Sequence, residues 1–235
     1  MNMQELCSFE LPVNGGYLHS ANVRLKGRDG MVITYATGSA TDPGEELFDY
    51  RGMGRMHIAM FEITGKTSRL LWDKELPWGV ISGIWWIPVV PMDMNGDGVD
   101  EIYYINNTGN PFSFLHRTLD RLDAETGETT GSWFWSWNNF EERMSLAYRF
   151  YIFGGYAHGE PVLVTCQGTY GTMNLQGWND NHEKRWETVI KASDPGPRAS
   201  HVTPILDING DGVVNNRDAS RILQYLADWS VSLGK

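Results

Sequence analysis

Asp93-Met-Asn-Gly-Asp-Gly-Val-Asp-Glu101 runs straight on into Ile102-Tyr-Tyr-Ile105, an acidic loop that continues as a β-rich run. Asp93, Asn95 and Asp97 put side-chain oxygens at alternate positions, and the Val99 carbonyl and Glu101 complete a set of hard donors suited to Ca²⁺. The residues that follow are β-branched and aromatic, so the chain continues as a strand. A short Gly-containing loop that opens directly into a strand predicts antiparallel β structure. The same Asn-Gly-Asp-Gly sequence also makes a polar hairpin turn without a metal, and both readings stand at this point.

Outward from this loop, short β-rich runs alternate with Gly, Pro, Asn and Asp clusters. The runs are Met31-Val-Ile-Thr-Tyr35, His57-Ile-Ala-Met-Phe61, Glu101-Ile-Tyr-Tyr-Ile105, Arg149-Phe-Tyr-Ile-Phe153 and Pro161-Val-Leu-Val-Thr165. A weak internal repeat underlies them. Phe61-Glu-Ile-Thr-Gly65 leads to Trp72, Leu122-Asp-Ala-Glu-Thr-Gly127 leads to Trp133, and Leu175-Gln-Gly-Trp178 leads to Trp186. Units of this size match propeller blades of four strands, and Gly159-Glu160 with Val162-Leu-Val164 echoes Glu101-Ile-Tyr-Tyr104. The expected fold is therefore mainly β: an incomplete β-propeller of about three blade-like units. Unrelated strands with chance Trp spacing remain the alternative.

A second acidic loop, Asp207-Ile-Asn-Gly-Asp-Gly-Val-Val-Asn-Asn-Arg-Asp218, has the longer calcium frame. Asp207, Asn209, Asp211, the Val213 carbonyl, Asn215 and Asp218 fall at ligand positions 1, 3, 5, 7, 9 and 12, with Gly212 at the sharp turn. Ala219, Ile222, Leu223 and Leu226 then share one helical face, so a calcium loop and a helix are expected here. A plain acidic turn capping a surface helix is the alternative. Asp207 follows Trp186 at the interval by which Asp93 follows Trp72, so both loops start at the same phase of the repeat.

Composition narrows the function. A net charge of −10 argues against a nucleic-acid partner, whose phosphates require basic patches. No apolar stretch is long enough to span a bilayer. The first ten residues lack a basic region followed by an apolar run, so no signal peptide is read there. Cys7 and Cys166 are either free thiols or one bridge.

Three other constellations could carry chemistry. Trp133, Trp135 and Trp137 alternate along one run, either as a sugar-stacking platform or as a packed face, and Trp85, Trp86 and Trp178 are ambiguous in the same way. His158, with Tyr156 and Arg149 nearby, could move a proton, although a His in a turn is more often structural. Arg198 and His201 end the rigid loop from Asp194 and could hold a carboxylated substrate. No Ser–His–Asp order, phosphate-binding Gly loop or Cys/His zinc pattern is present.

The stretches Gly155-Tyr-Ala-His-Gly-Glu-Pro-Val-Leu-Val-Thr165, Gln167-Gly-Thr-Tyr-Gly171, Leu175-Gln-Gly-Trp-Asn179, Asp194-Pro-Gly-Pro-Arg-Ala-Ser-His201 and Asp207-Ile-Asn-Gly-Asp-Gly212 resemble the calcium-bearing propeller of family 11 rhamnogalacturonan lyases. A looser likeness reaches back through Asp93–Ile102 to about Tyr17. The resemblance covers residues 17–213 but only part of that family's eight-bladed domain. It implies β-elimination on the pectin backbone, an acidic plant cell-wall polysaccharide as partner, Ca²⁺ as cofactor and secretion; it assigns no catalytic residue. Val213-Val-Asn-Asn-Arg-Asp-Ala-Ser-Arg-Ile-Leu-Gln-Tyr-Leu-Ala-Asp-Trp229 resembles one repeat of a dockerin, which implies a cohesin on a scaffold protein as a further partner. Dockerins carry two such repeats, and one is visible. The expected division is residues 1–205, propeller-like, and 206–235, a dockerin-like calcium loop and helix. The shared Asp207–Gly212 motif is then the junction of a fragment or chimera. The expected function is that of a calcium-binding polysaccharide lyase-like protein; the alternative is a non-catalytic carbohydrate-binding or cohesin-docking module.

Overall fold

The structure is a computed structural model, and it describes residues 7–13, 16–36, 56–76, 89–107, 117–134, 150–167 and 173–190. The chain divides into two compact units, Met1–Ser136 and Trp137–Lys235. Among the described residues there is no helix, hence none long and apolar enough to cross a membrane. The expectation of a mainly β chain holds. The expected calcium loop and helix after Asp207 lie outside the described residues.

The first unit holds two four-stranded antiparallel sheets. One runs in chain order through β1 (Gly16–Leu25), β2 (Arg28–Ala36), β3 (Met56–Thr64) and β4 (Thr67–Leu76). The other runs through β5 (Val89–Met92), β6 (Glu101–Asn107), β7 (Arg117–Leu122) and β8 (Thr129–Phe134). The second unit repeats the arrangement with β9 (Phe150–Ala157), β10 (Glu160–Gln167), β11 (Met173–Trp178) and β12 (Lys184–Ile190). Each sheet is a simple meander, the form that short turns between consecutive runs dictate.

The inner strands β2 and β3 bury apolar side chains on both faces. In β2 and β3, Val32, Ile58 and Met60 are buried on one face, and Ile33, Tyr35, Ala59 and Phe61 on the other. Phe9 closes the second face edge-on against Phe61, with ring centroids 5.3 Å apart. Burying such side chains stabilises the fold by about 1.5–3 kcal/mol each.

The repeat read from sequence is a repeat of hairpins. In every sheet the connection between the third and fourth strands falls inside one of the repeated segments 61–72, 122–133 and 175–186, and the fourth strand carries one extra residue: Leu71, Thr130 and Arg185. Such a bulge increases local twist. Trp72 and Trp186 directly follow their bulges, opposite Met60 and Gly177, but Gly131 holds that place in the second sheet. Trp133 is therefore two residues out of phase with the other two tryptophans. Its indole folds back over Gly131, and the Trp186 indole lies over Gly177; a Cβ on either glycine would collide with the ring.

Polar groups repeat at the same rows. Position two beyond each bulge gives the cross-strand pairs Ala59–Asp73, Asp120–Ser132 and Gln176–Glu187, so every sheet places a carboxylate at one shared pair. Asp73 accepts from Tyr35 Oη (3.0 Å) and faces His57 Nδ1 at 2.9 Å. Asp120 accepts from Tyr104 Oη, Asn106 Nδ2 and Ser132 Oγ at 3.2, 2.7 and 2.6 Å. Glu187 accepts from Asn174 Nδ2, Gln176 Nε2 and Lys184 Nζ at 2.8, 2.9 and 2.6 Å. Burial, with the neighbouring carboxylate, holds the Tyr35 and Tyr104 hydroxyls protonated well above the usual phenol range.

Candidate metal centre

The loop Asp93–Asp100 joins β5 to β6, between the first and second strands of its sheet. The corresponding connection of the third sheet is the tight turn at His158-Gly159, and Glu160 opens β10 as Glu101 opens β6. The predicted echo between these two segments is thus a shared place in the sheet.

Asp93 organises the loop from below. Buried at 8% exposure, its Oδ1 accepts from the Gly96 and Asp97 N–H groups (2.7 and 3.1 Å), and its Oδ2 from the Gly98 N–H (2.9 Å). Asn95 Oδ1 takes the Asp97 N–H and Asp97 Oδ1 takes the Val99 N–H, both at 2.8 Å. These successive side-chain-to-backbone turns are why Asp and Asn occupy alternate positions whether or not a metal is bound. Gly96 and Gly98 adopt φ of 80° and 90°, a region costly for any residue with a Cβ.

Glu101 closes the loop. Its Oε2 accepts from the Met94 N–H at 2.9 Å, and its Oε1 from Asn95 Nδ2 at 2.7 Å. Asn95 Nδ2 also reaches Asp97 Oδ2 at 3.2 Å, so one amide NH₂ sits between two carboxylates. Among the described residues no three His, Cys, Asp or Glu side chains gather as a ready metal cage. The donor chemistry nonetheless fits a hard cation. The oxygens of Asp97 and Glu101 already point at one partially positive group, and turning the Asn95 amide over would add its own oxygen.

An arginine that the sequence did not single out completes the surroundings. Arg24, near the end of β1, donates from Nε and Nη2 to Asp100 Oδ1 at 3.1 and 2.7 Å. Its backbone N–H donates to Asp100 Oδ2 at 2.7 Å, and its carbonyl accepts the Asp100 N–H at 2.9 Å. Nη2 also lies 3.8 Å from Asp93 Oδ2. The loop is thereby fastened to the first sheet. The same seam is extended by the Lys26 N–H to Glu125 Oε1 (2.9 Å), the Arg28–Glu125 ion pair, and Trp72 Nε1 to the Ala124 carbonyl (2.8 Å). Asp100 stands beside the motif in sequence, but nothing at position 24 signals a partner 76 residues away.

Of the proton-transfer candidates, His158 and Tyr156 are described. His158 (φ 55°) and Gly159 (φ 82°) form the two-residue turn between β9 and β10, with both φ values positive as a type I′ turn requires. His158 is exposed, Tyr156 is 58% exposed, and Glu160 beside them pairs with Arg185. Arg149, Arg198 and His201 lie outside the described residues, as do Trp85, Trp86, Trp135, Trp137, Asp207, Asn209, Asp211, Val213, Asn215 and Asp218.

Trp178 is no open sugar platform. It is 8% exposed, donates to Thr165 Oγ1 at 2.8 Å and is covered by the His182 ring, stacked 4.1 Å away at 5°. Burial there lowers the His182 pKa to about 4. Trp133 carries the Arg121 guanidinium 5.3 Å from its ring centre. Cys7 and Cys166 are free thiols, and burial pushes Cys166 up to about 12, leaving it an unreactive core residue.

No protein-family model matches the sequence, and no curated protein does. Solved structures do match in fold. One is the exotype rhamnogalacturonan lyase YesX (18% identity, TM-score 0.53, 88% of this chain and 41% of that one). A second is the Bacillus licheniformis rhamnogalacturonan lyase PL11 (18%, 0.54, 89% and 41%). A third is the rhamnogalacturonan lyase YesW (17%, 0.53, 88% and 42%). The chain spans about two-fifths of the length of these enzymes, and at this identity the likeness is one of fold.

Proposed function

We propose that this chain is a calcium-binding, polysaccharide lyase-like protein directed at the acidic rhamnogalacturonan backbone of pectin. The observation that supports this reading is the fold likeness to three rhamnogalacturonan lyases over nearly nine-tenths of the chain. β-Elimination requires a base to take the proton α to a uronate carboxylate and a positive group to offset the charge that develops. His158 and Tyr156, exposed on one hairpin, are the described candidates for the proton; Arg149, Arg198 and His201 are the remaining candidates for base or cation. Ca²⁺ would be held at the first loop by Asp93, Asn95, Asp97, the Val99 carbonyl and Glu101, where it stiffens a turn between strands. A second ion belongs to Asp207, Asn209, Asp211, the Val213 carbonyl, Asn215 and Asp218.

Incubation with rhamnogalacturonan in calcium buffer should produce rising ultraviolet absorbance from unsaturated products. A flat trace at all pH values between 5 and 9 removes the enzyme claim.

The dockerin-like sequence from Val213 to Trp229 favours a second reading, a scaffold-docking module of residues 206–235 behind a propeller-like part of residues 1–205. Capture by immobilised cohesin that is lost in Asp207→Ala and Asp218→Ala supports it; no capture in calcium buffer removes it. Either reading places the protein outside the cell, where its polysaccharide partner is.

A further inference from the structure

We infer that Arg24 is a built-in counter-cation of the Asp93–Glu101 loop, which holds the loop against the first sheet without metal and opposes Ca²⁺ when it binds. This rests on the calcium reading of that loop. Asp93 and Asp100 are both buried, with 8% and 7% of their surface exposed; Asp97 lies between them and Glu101 follows directly. Four carboxylates in nine residues repel one another, and a buried one needs a positive or hydrogen-bonding neighbour.

Arg24 answers that need in a fixed position. Three hydrogen bonds to the Asp100 carboxylate and one backbone bond pin both its main chain and its guanidinium, while Nη2 stands 3.8 Å from Asp93 Oδ2. The main-chain bonds tie the loop to β1, and the two guanidinium bonds to Asp100 keep the charge beside the loop. A divalent ion taken up on Asp93 therefore meets a fixed positive charge. At roughly 6 Å in a near-aqueous dielectric and physiological salt, that repulsion weakens binding by about three- to tenfold.

The consequence has two signs. Removing the charge should loosen the metal-free joint between β1 and the loop, yet tighten Ca²⁺ binding. An arginine that served only as a structural peg would do the first and not the second.

The test is calorimetric Ca²⁺ titration of the full chain, with the second loop silenced by Asp207→Asn and Asp211→Asn. Arg24→Gln in this background should bind Ca²⁺ about three- to tenfold more tightly while its calcium-free melting temperature falls. Arg24→Lys, which keeps the charge and loses the fork, should stay within about twofold of the parent in affinity. Unchanged or weaker binding in Arg24→Gln, beside a parent that binds, overturns the inference alone. A parent whose Ca²⁺ response is absent, or survives Asp97→Asn, overturns the calcium reading and the inference with it.

Discussion

Position 158 carries a histidine where a type I′ turn most readily takes Asn or Gly. The left-handed conformation at φ 55° costs a β-carbon residue roughly 1 kcal/mol, and Asn tolerates it better. His158→Asn should leave urea stability unchanged or raise it by up to about 1 kcal/mol. If the same variant loses lyase activity, His158 moves the proton; if it keeps activity, the imidazole is a turn residue only. His182, also left-handed at φ 56°, reports on pH instead. Its folded pKa of about 4 lies below the ordinary value, so the unfolded chain takes up the proton first on acidification. The stability contributed by its neutral ring is complete above about pH 6.5 and is lost as pH falls towards 4. Thermal melts across that window should fall less steeply for His182→Gln than for the parent.

At the scale of the element, the carboxylate shared by the third and fourth strands is the feature that recurs in all three sheets. Asp120 is its most buried form, and three donors converge on it. Asp120→Ala removes the acceptor shared by the buried Tyr104 hydroxyl, the half-buried Asn106 amide and the exposed Ser132 hydroxyl and should cost about 1–3 kcal/mol by urea denaturation, most of it from Tyr104. Asp120→Asn, which keeps one oxygen, should cost clearly less. In the third sheet the Lys184, Asn174 and Gln176 donors hold the Glu187 pKa down to about 2. Its contribution is present above about pH 4.5 and is lost as pH falls through 2, a window below that of His182. None of these polar rows was legible in the sequence, because Asp73, Asp120 and Glu187 reach their partners through register across strands. The strands β2, β3, β6 and β10 were legible, because their apolar and β-branched residues face packing on both sides. The outer strands β4, β8 and β12, rich in Thr, Lys, Arg and Glu, were not. Spacing alone also aligned Trp133 with Trp72 and Trp186, since the bulge that sets the phase leaves no sequence mark.

For the whole molecule, fold outlasts sequence. Four-stranded meanders with buried inner strands can be specified by many side-chain sets of the right volume, so fold likeness to the lyases coexists with 17–18% identity. The two acidic loops offer a property of the whole chain that does not depend on catalysis. An ion that binds only the folded state stabilises it by RT ln(1 + [L]/Kd), about 2.7 kcal/mol at a hundredfold excess over Kd. The full chain should therefore melt several degrees higher in millimolar Ca²⁺ than in chelator. Mg²⁺ should substitute poorly, because it demands tighter octahedral geometry and gives up water reluctantly. Asp97→Asn and Asp211→Asn act on loops in different units, so each should remove a separate part of the Ca²⁺-dependent shift and the double variant all of it. Differential scanning calorimetry of the four proteins with and without Ca²⁺ measures this directly. Equal melting curves for the parent in Ca²⁺ and chelator would sink both calcium assignments. A shift that vanishes in Asp211→Asn alone would leave the Asp93 loop as a hairpin turn held by its own hydrogen bonds and by Arg24.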